Sequence, residues 1–138
     1  MVQAGIDASR GVQPIREVWV MRARIFNETR SVELASDAEI AGSFLARLRG
    51  LLGRSELPQG AGLVIEPCSS VHGIGMRFAI DVVFLDRNNH VAYAMRLPRY
   101  GFSPIVRGAR CAIELPQGTL QATRTARGDI VAIVPLSP

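Results

Sequence analysis

Residues 78–85, FAIDVVFL, limit the fold more than any other stretch of the chain. In an extended backbone successive side chains point to opposite faces, so Phe78, Ile80, Val82 and Phe84 share one face and Ala79, Asp81, Val83 and Leu85 the other. Both faces are apolar but for one acid, and a strand of that kind has to be packed on both sides. Asp81 is then drawn into partial burial, where a carboxylate stays charged only if an arginine or several N–H groups meet it. It either ties a neighbouring loop to the sheet or lines a polar pocket with His72 and an arginine such as Arg77 or Arg99.

The remaining chain supplies strands to pack around this one. Residues 18–26 alternate as a strand, 27–30 make a turn, and 31–35 form a second short strand. Further strands are predicted at 62–66, 80–85, 91–96, 110–115 and 129–134, with Asp86-Arg87-Asn88-Asn89 joining two of them as a hairpin. Ser36-Asp37-Ala38-Glu39 reads as a capping box, and Ile40, Phe44, Leu45, Leu48 and Leu52 follow at helical spacing. One helix is therefore expected over about residues 37–50, closed by Gly50 or Gly53. Residues 98–104 form an irregular loop holding Tyr100 and Phe102. The pentapeptide ELPQG occurs at 56–60 and again at 114–118, but its flanks do not match, so it reads as two uses of one turn chemistry rather than as a repeat. The predicted fold is mainly β (α+β): a compact antiparallel β barrel or jelly-roll-like sandwich with one flanking α-helix. Residues 1–14 read as a flexible lead-in and 15–138 as a single mainly-β domain.

At 138 residues the chain is long enough to bury roughly two thirds of its unfolded surface without staples. No apolar run approaches the roughly 18–20 residues that cross a bilayer. The first residues lack a basic start followed by an apolar stretch, so no export signal is expected and the cytoplasm is the expected compartment. There Cys68 and Cys111 are expected to stay thiols. All 16 basic residues are arginine, and the net charge of +4 favours acidic partners through a general field. The arginines are spread from Arg10 to Arg127 with few aromatics between them, and no nucleic-acid motif is present, so nucleic acid is not an expected partner.

The segments RLRGLLGR, VHGIGMRFAIDVVFLD, GARCAIELPQGT and RGDIVAI, taken in that order, resemble the small bacterial and archaeal family known as domain of unknown function 192. The resemblance runs from about Leu45 to Val134. It implies a compact, mainly β fold of jelly-roll or barrel type with a flanking helix, and it implies no assigned activity. It also adds weight to His72, Met76, Asp81, Glu114, Gly118 and Asp129 as motif positions. Members of that family often carry an export signal, from which this chain departs. Where they commonly have Asp-Gly in the hairpin turn, this chain has Asn88-Asn89, and asparagine also tolerates positive φ. Asp129, after Gly128, reads as a turn residue capping its own backbone, and Pro98 as a fixed strand exit.

The stretch CSSVHGIGM, residues 68–76, admits three chemistries. Cys68, His72 and Met76 are copper or zinc ligand types, but such a site needs a further imidazole, and the other histidine, His90, lies beside the hairpin turn. A Cys68 nucleophile with His72 as base needs contact, whereas four extended steps of roughly 3.3 Å would hold the pair about 13 Å apart. Only a turn at Ser69-Ser70 would join them. Gly73 and Gly75 mark a kinked strand, through a bulge or the close approach of another chain segment or a ligand.

The reading that follows is a non-catalytic binding or accessory module. It recognises a small polar ligand or a protein partner through a polar groove near His72, Asp81 and Glu114, with Arg77 or Arg99 as counter-charge and Tyr100 or Phe102 as an apolar wall. The alternatives are a hydrolase or transferase using Cys68/His72 or Asp81/His72, and copper or zinc binding through Cys68, His72 and Met76. No cofactor and no membrane contact are expected, and the chain is expected to be a monomer or weak dimer.

Overall fold

The computed structural model describes residues 21–41 and 56–137. Seven strands and one short helix occur among them: β1 (Met21–Asn27), β2 (Val32–Ala41), β3 (Ala61–Ile65), β4 (Ile80–Asp86), β5 (Val91–Leu97), β6 (Ala109–Pro116), α1 (Thr119–Thr123) and β7 (Val131–Pro135). The strands make one sheet in the order β5-β4-β6-β3-β2-β1-β7. All neighbours are antiparallel except β2 and β3, which run parallel.

The sheet is curled into a half-barrel. Its edge strands, β5 and β7, meet at one end, where His90 bridges Ile130 and three backbone bonds cross the seam: Val91 N–H to Asp129 O (2.8 Å), Val131 N–H to Asn89 O (2.9 Å) and Gly128 N–H to Val91 O (2.8 Å). Each face carries its own core. Ile25, Ala38, Val64, Val83, Leu85, Ile113, Leu115 and Val131 pack inside the curl. Leu63, Ile65, Ile80, Val82, Phe84, Leu97 and Ala112 pack on the outside, under Val71, Met76 and Val106 from two long loops. β4 lies one strand in from the edge, between β5 and β6, and both of its apolar faces are covered, as its composition requires.

The mainly β class and most strand positions follow the sequence pattern. The Asp86–Asn89 turn closes the β4–β5 hairpin, with Asn89 at φ 65° and the Asp86 carboxylate accepting the N–H groups of Asn88 and His90. The capping-box helix is corrected in its first turn: residues 37–41 are strand, paired with β1 on one side and β3 on the other. The amides of Ser36 and Asp37 go to Gly60 O, and Asp37 and Glu39 both pair with Arg22 across the β1–β2 ladder. Long-range pairing thus takes the donors and acids that locally spell a helix start. The rest of that predicted helix, 42–50, lies outside the described residues, as do 18–20 of the first predicted strand. The helix that is present, α1, was not expected.

The two ELPQG segments differ in structure. In the second, Glu114, Leu115 and Pro116 end β6 before a Gln117-Gly118 turn; in the first, Gln59-Gly60 turns into β3. Both turns use a glycine at positive φ, 86° at Gly60 and 97° at Gly118, which L side chains avoid.

A buried polar network ties the seam to β1. Asp129 accepts from Asn27 Nδ2 (3.0 Å), Arg30 Nε (3.0 Å) and Ala126 N–H (3.0 Å), and Asn27 also bonds Thr125. Burial opposes the Asp129 charge, but the bonds from Arg30, Asn27 and Ala126 outweigh it and hold the carboxyl below the ordinary aspartate range. A depressed folded pKa stabilises above the unfolded pKa and is lost as pH falls through the folded value. Stability should therefore fall below about pH 4. Asp129→Asn should unfold more readily at pH 7 and lose part of that acid dependence, as read from urea midpoints at several pH values.

Candidate functional site

The segments 68–76 and 98–106 run side by side across the outer core. Val106 N–H bonds Ser69 O, Ser103 N–H bonds Val71 O, Gly73 N–H bonds Gly101 O and Tyr100 N–H bonds Gly73 O, all within 3.0 Å, and His72 bridges Phe102. Side chains add to the ladder: Ser103 Oγ accepts Val71 N–H (2.9 Å), and Arg99 donates to Met76 O (3.3 Å) and the Tyr100 hydroxyl (3.2 Å). The close approach that the paired glycines announced is made by the chain itself. A Cβ on Gly73 would stand 2.7 Å from Pro98 O, and one on Gly101 2.8 Å from the Pro98 ring. Gly75 takes φ 84°.

This doubled loop turns an apolar and cationic surface outward. Ile74 is 50% exposed, Tyr100 59%, Phe102 66% and Ile105 78%, four of the eight exposed large apolar residues among those described. Arg77, Arg99 and Arg107 are exposed beside them, and neither 67–80 nor 98–110 contains an acid. The His72 ring lies 6.3 Å from the Phe102 ring, and the Arg99 guanidinium lies 5.2 Å from the Tyr100 ring centre. Such stacking fixes the aromatic rings and the cation relative to one another.

His72, Arg99, Tyr100 and Phe102 are thus brought together, and Arg77 is on the same segment. Asp81 and Glu114 do not join them as one groove. Residues paired across a ladder share a face, and β4 and β6 pair Asp81 with Leu115 and Val82 with Glu114. Asp81 faces the interior of the curl, whereas Glu114 lies on the outer face in register with Leu63 and Val82, wholly buried. Asp81, 3% exposed, accepts the N–H groups of Gly118 (3.0 Å) and Leu120 (2.8 Å) through one oxygen. It caps α1 from the strand next to β6, meeting the donors that a helix's first turn leaves over. Of the two roles open to it, it ties a neighbouring segment to the sheet, with backbone amides in place of an arginine.

The Cys68 thiol donates to Ser70 O (3.2 Å), and His72 Nδ1 accepts Ile74 N–H (3.4 Å). Cys111 is buried in the interior of the curl, and burial pushes its thiol up to about 11. Both cysteines are thiols. Among the described residues no group of three or more His, Cys, Asp and Glu side chains is placed to hold a metal ion. Sequence reasoning passed over Ile105 and Arg107. The signal that would have found them was the acid-free stretch 98–110, visible in the sequence itself.

A curled β half-barrel with a doubled loop over its outer face defines the structural class, and comparison with known proteins supplies the family. The family model for DUF192, described as "Uncharacterized ACR", matches residues 25–133, and the chain belongs to that family. A UPF0127 protein of Pyrococcus furiosus is 32% identical over 110 residues, covering 76% of this chain and 93% of that protein. A UPF0127 protein of Pyrococcus horikoshii is 34% identical over 111 residues, covering 76% and 94%. Two crystal structures share the fold at 16% identity and a TM-score of 0.69: a putative transcription regulator from Sinorhizobium meliloti, covering 83% of this chain and 93% of that one, and a protein of unknown function from Novosphingobium aromaticivorans, covering 82% and 84%. At that identity the likeness concerns the fold alone. No helix among the described residues is long and apolar enough to cross a membrane.

Proposed function

We propose that this chain is a non-catalytic recognition module that receives a protein partner on the doubled loop, the partner offering acidic groups beside one or two apolar side chains. The observation that carries this reading is the gathering of Ile74, Tyr100, Phe102 and Ile105 on two segments whose backbones hold each other. Exposed apolar side chains interleaved with arginine are the composition of interface centres, and a backbone already ordered loses little entropy on binding. With three arginines and no acid, the surface field selects an anionic partner.

The test compares the wild-type chain with Ile74→Ser/Phe102→Ser as affinity baits, after circular dichroism shows both folded. A protein held by the wild type should bind the variant at least about tenfold more weakly, and its retention should fall as salt rises past about 0.15 M. Equal capture by both baits, indifference to salt, or capture of nucleic acid in place of protein overturns the reading.

A further inference from the structure

A concave site lies at the seam, where the two edges of the sheet meet. It is a cleft of about 490 Å³, within the range of about 300–1,000 Å³ that holds small ligands. The first residues of β5, the 104–107 loop and the 127–128 turn line it together. We propose that this cleft binds a small organic oxyanion, a carboxylate or phosphate borne on an apolar or aromatic body.

The cationic part comes from Arg107 and Arg127, which reach the cleft from two different loops. Among the described residues neither guanidinium forms a hydrogen bond or an ion pair, so their donors are available to a ligand. A guanidinium fork matches the paired oxygens of a carboxylate or phosphate. Asp86, the acid of the cleft, is engaged by its own turn: its Oδ1 accepts Asn88 N–H (2.8 Å) and His90 N–H (2.9 Å). Two cations against one carboxylate leave the site net positive.

The apolar part comes from Tyr93 and Ile105. The Tyr93 ring is steadied by Phe84, 6.5 Å away between centres, and so offers a fixed flat surface. Ile105 is 78% exposed, the most open large apolar side chain among the described residues, and a ligand body laid on Tyr93 would cover it. The cleft cannot widen freely, because Val91 N–H to Asp129 O and Gly128 N–H to Val91 O pin β5 to the 127–128 turn. The site shares Ile105 and Arg107 with the doubled-loop surface, but Arg127 and Tyr93 belong to the cleft alone, and because its test reads small-anion binding rather than protein capture, it stands or falls apart from the protein-recognition reading.

Amide chemical shifts of the ¹⁵N-labelled full chain test this, with benzoate, phenyl phosphate, benzyl alcohol and inorganic phosphate as probes. Benzoate or phenyl phosphate should shift the amides of Ala92, Tyr93, Arg107 and Gly128 saturably, and the better of the two tells which oxyanion fits. Benzyl alcohol, lacking charge, and inorganic phosphate, lacking an apolar body, should each bind at least about tenfold more weakly. Arg107→Gln/Arg127→Gln should lose at least about tenfold in affinity. Arg96→Gln/Arg124→Gln, which removes the same charge elsewhere, should retain it. No saturable binding of either anion, shifts centred elsewhere, equal binding of benzyl alcohol, or equal loss in both double variants overturns the proposal.

Discussion

Asp81→Ala should lower the unfolding free energy by about 4 kcal/mol, a large part of the ~5–15 kcal/mol that holds a domain of this size. The lost carboxylate accepts two amides at 3.0 and 2.8 Å in a site only 3% exposed. Each bond to a charged acceptor contributes about 1.5–3 kcal/mol, and the amides of Gly118, which is exposed, and Leu120, which is half-buried, would recover only part of that from water. Asp81→Asn keeps an acceptor oxygen in the same place and should lose about half as much. The midpoint of urea unfolding measures both, and hydrogen exchange should show Leu120 N–H deprotected in the alanine variant. An alanine variant within about 0.5 kcal/mol of wild type would mean that α1 is held by something other than this carboxylate.

Gly73→Val should cost about 3 kcal/mol, and Gly73→Ala somewhat less. The new Cβ would meet Pro98 O at 2.7 Å and Tyr100 N at 3.2 Å, both backbone atoms of a segment bonded in place on either side. Unlike a side-chain tip, that backbone cannot step aside without breaking Tyr100 N–H to Gly73 O and Gly73 N–H to Gly101 O. The damage should be local. Amide exchange should quicken at Tyr100 and Ser103 while β1 and β2 remain protected, and partner capture by the doubled loop should fall with it. Uniform loosening across the sheet would contradict this.

Much of the barrel was legible because each strand carries its own alternation, and because an Asp–Asn turn states its geometry locally. The β4 segment declared that both its faces would be covered, and they are, by residues from every other strand and from two loops. What failed was local chemistry with a long-range competitor. Ser36, Asp37 and Glu39 offer a helix start, yet β1 and β3 offer the same amides and acids ladder partners and Arg22. Five residues such as those of α1 are too few to show a helical period. The site was half legible for a related reason. A strand read alone gives its two faces but not which residue of the next strand stands opposite, and the β4–β6 register decides that Asp81 and Glu114 face away from each other. His72, Arg99, Tyr100 and Phe102 came together because glycines 73 and 101 let two loops touch, which neither loop reveals by itself.

The manner in which those loops are fastened also bears on how such a chain can diverge. Main-chain atoms do most of the holding, so the outward side chains at 74, 100, 102 and 105 are nearly exempt from any duty to the scaffold. Substitution there would change what the molecule meets while leaving the curl intact.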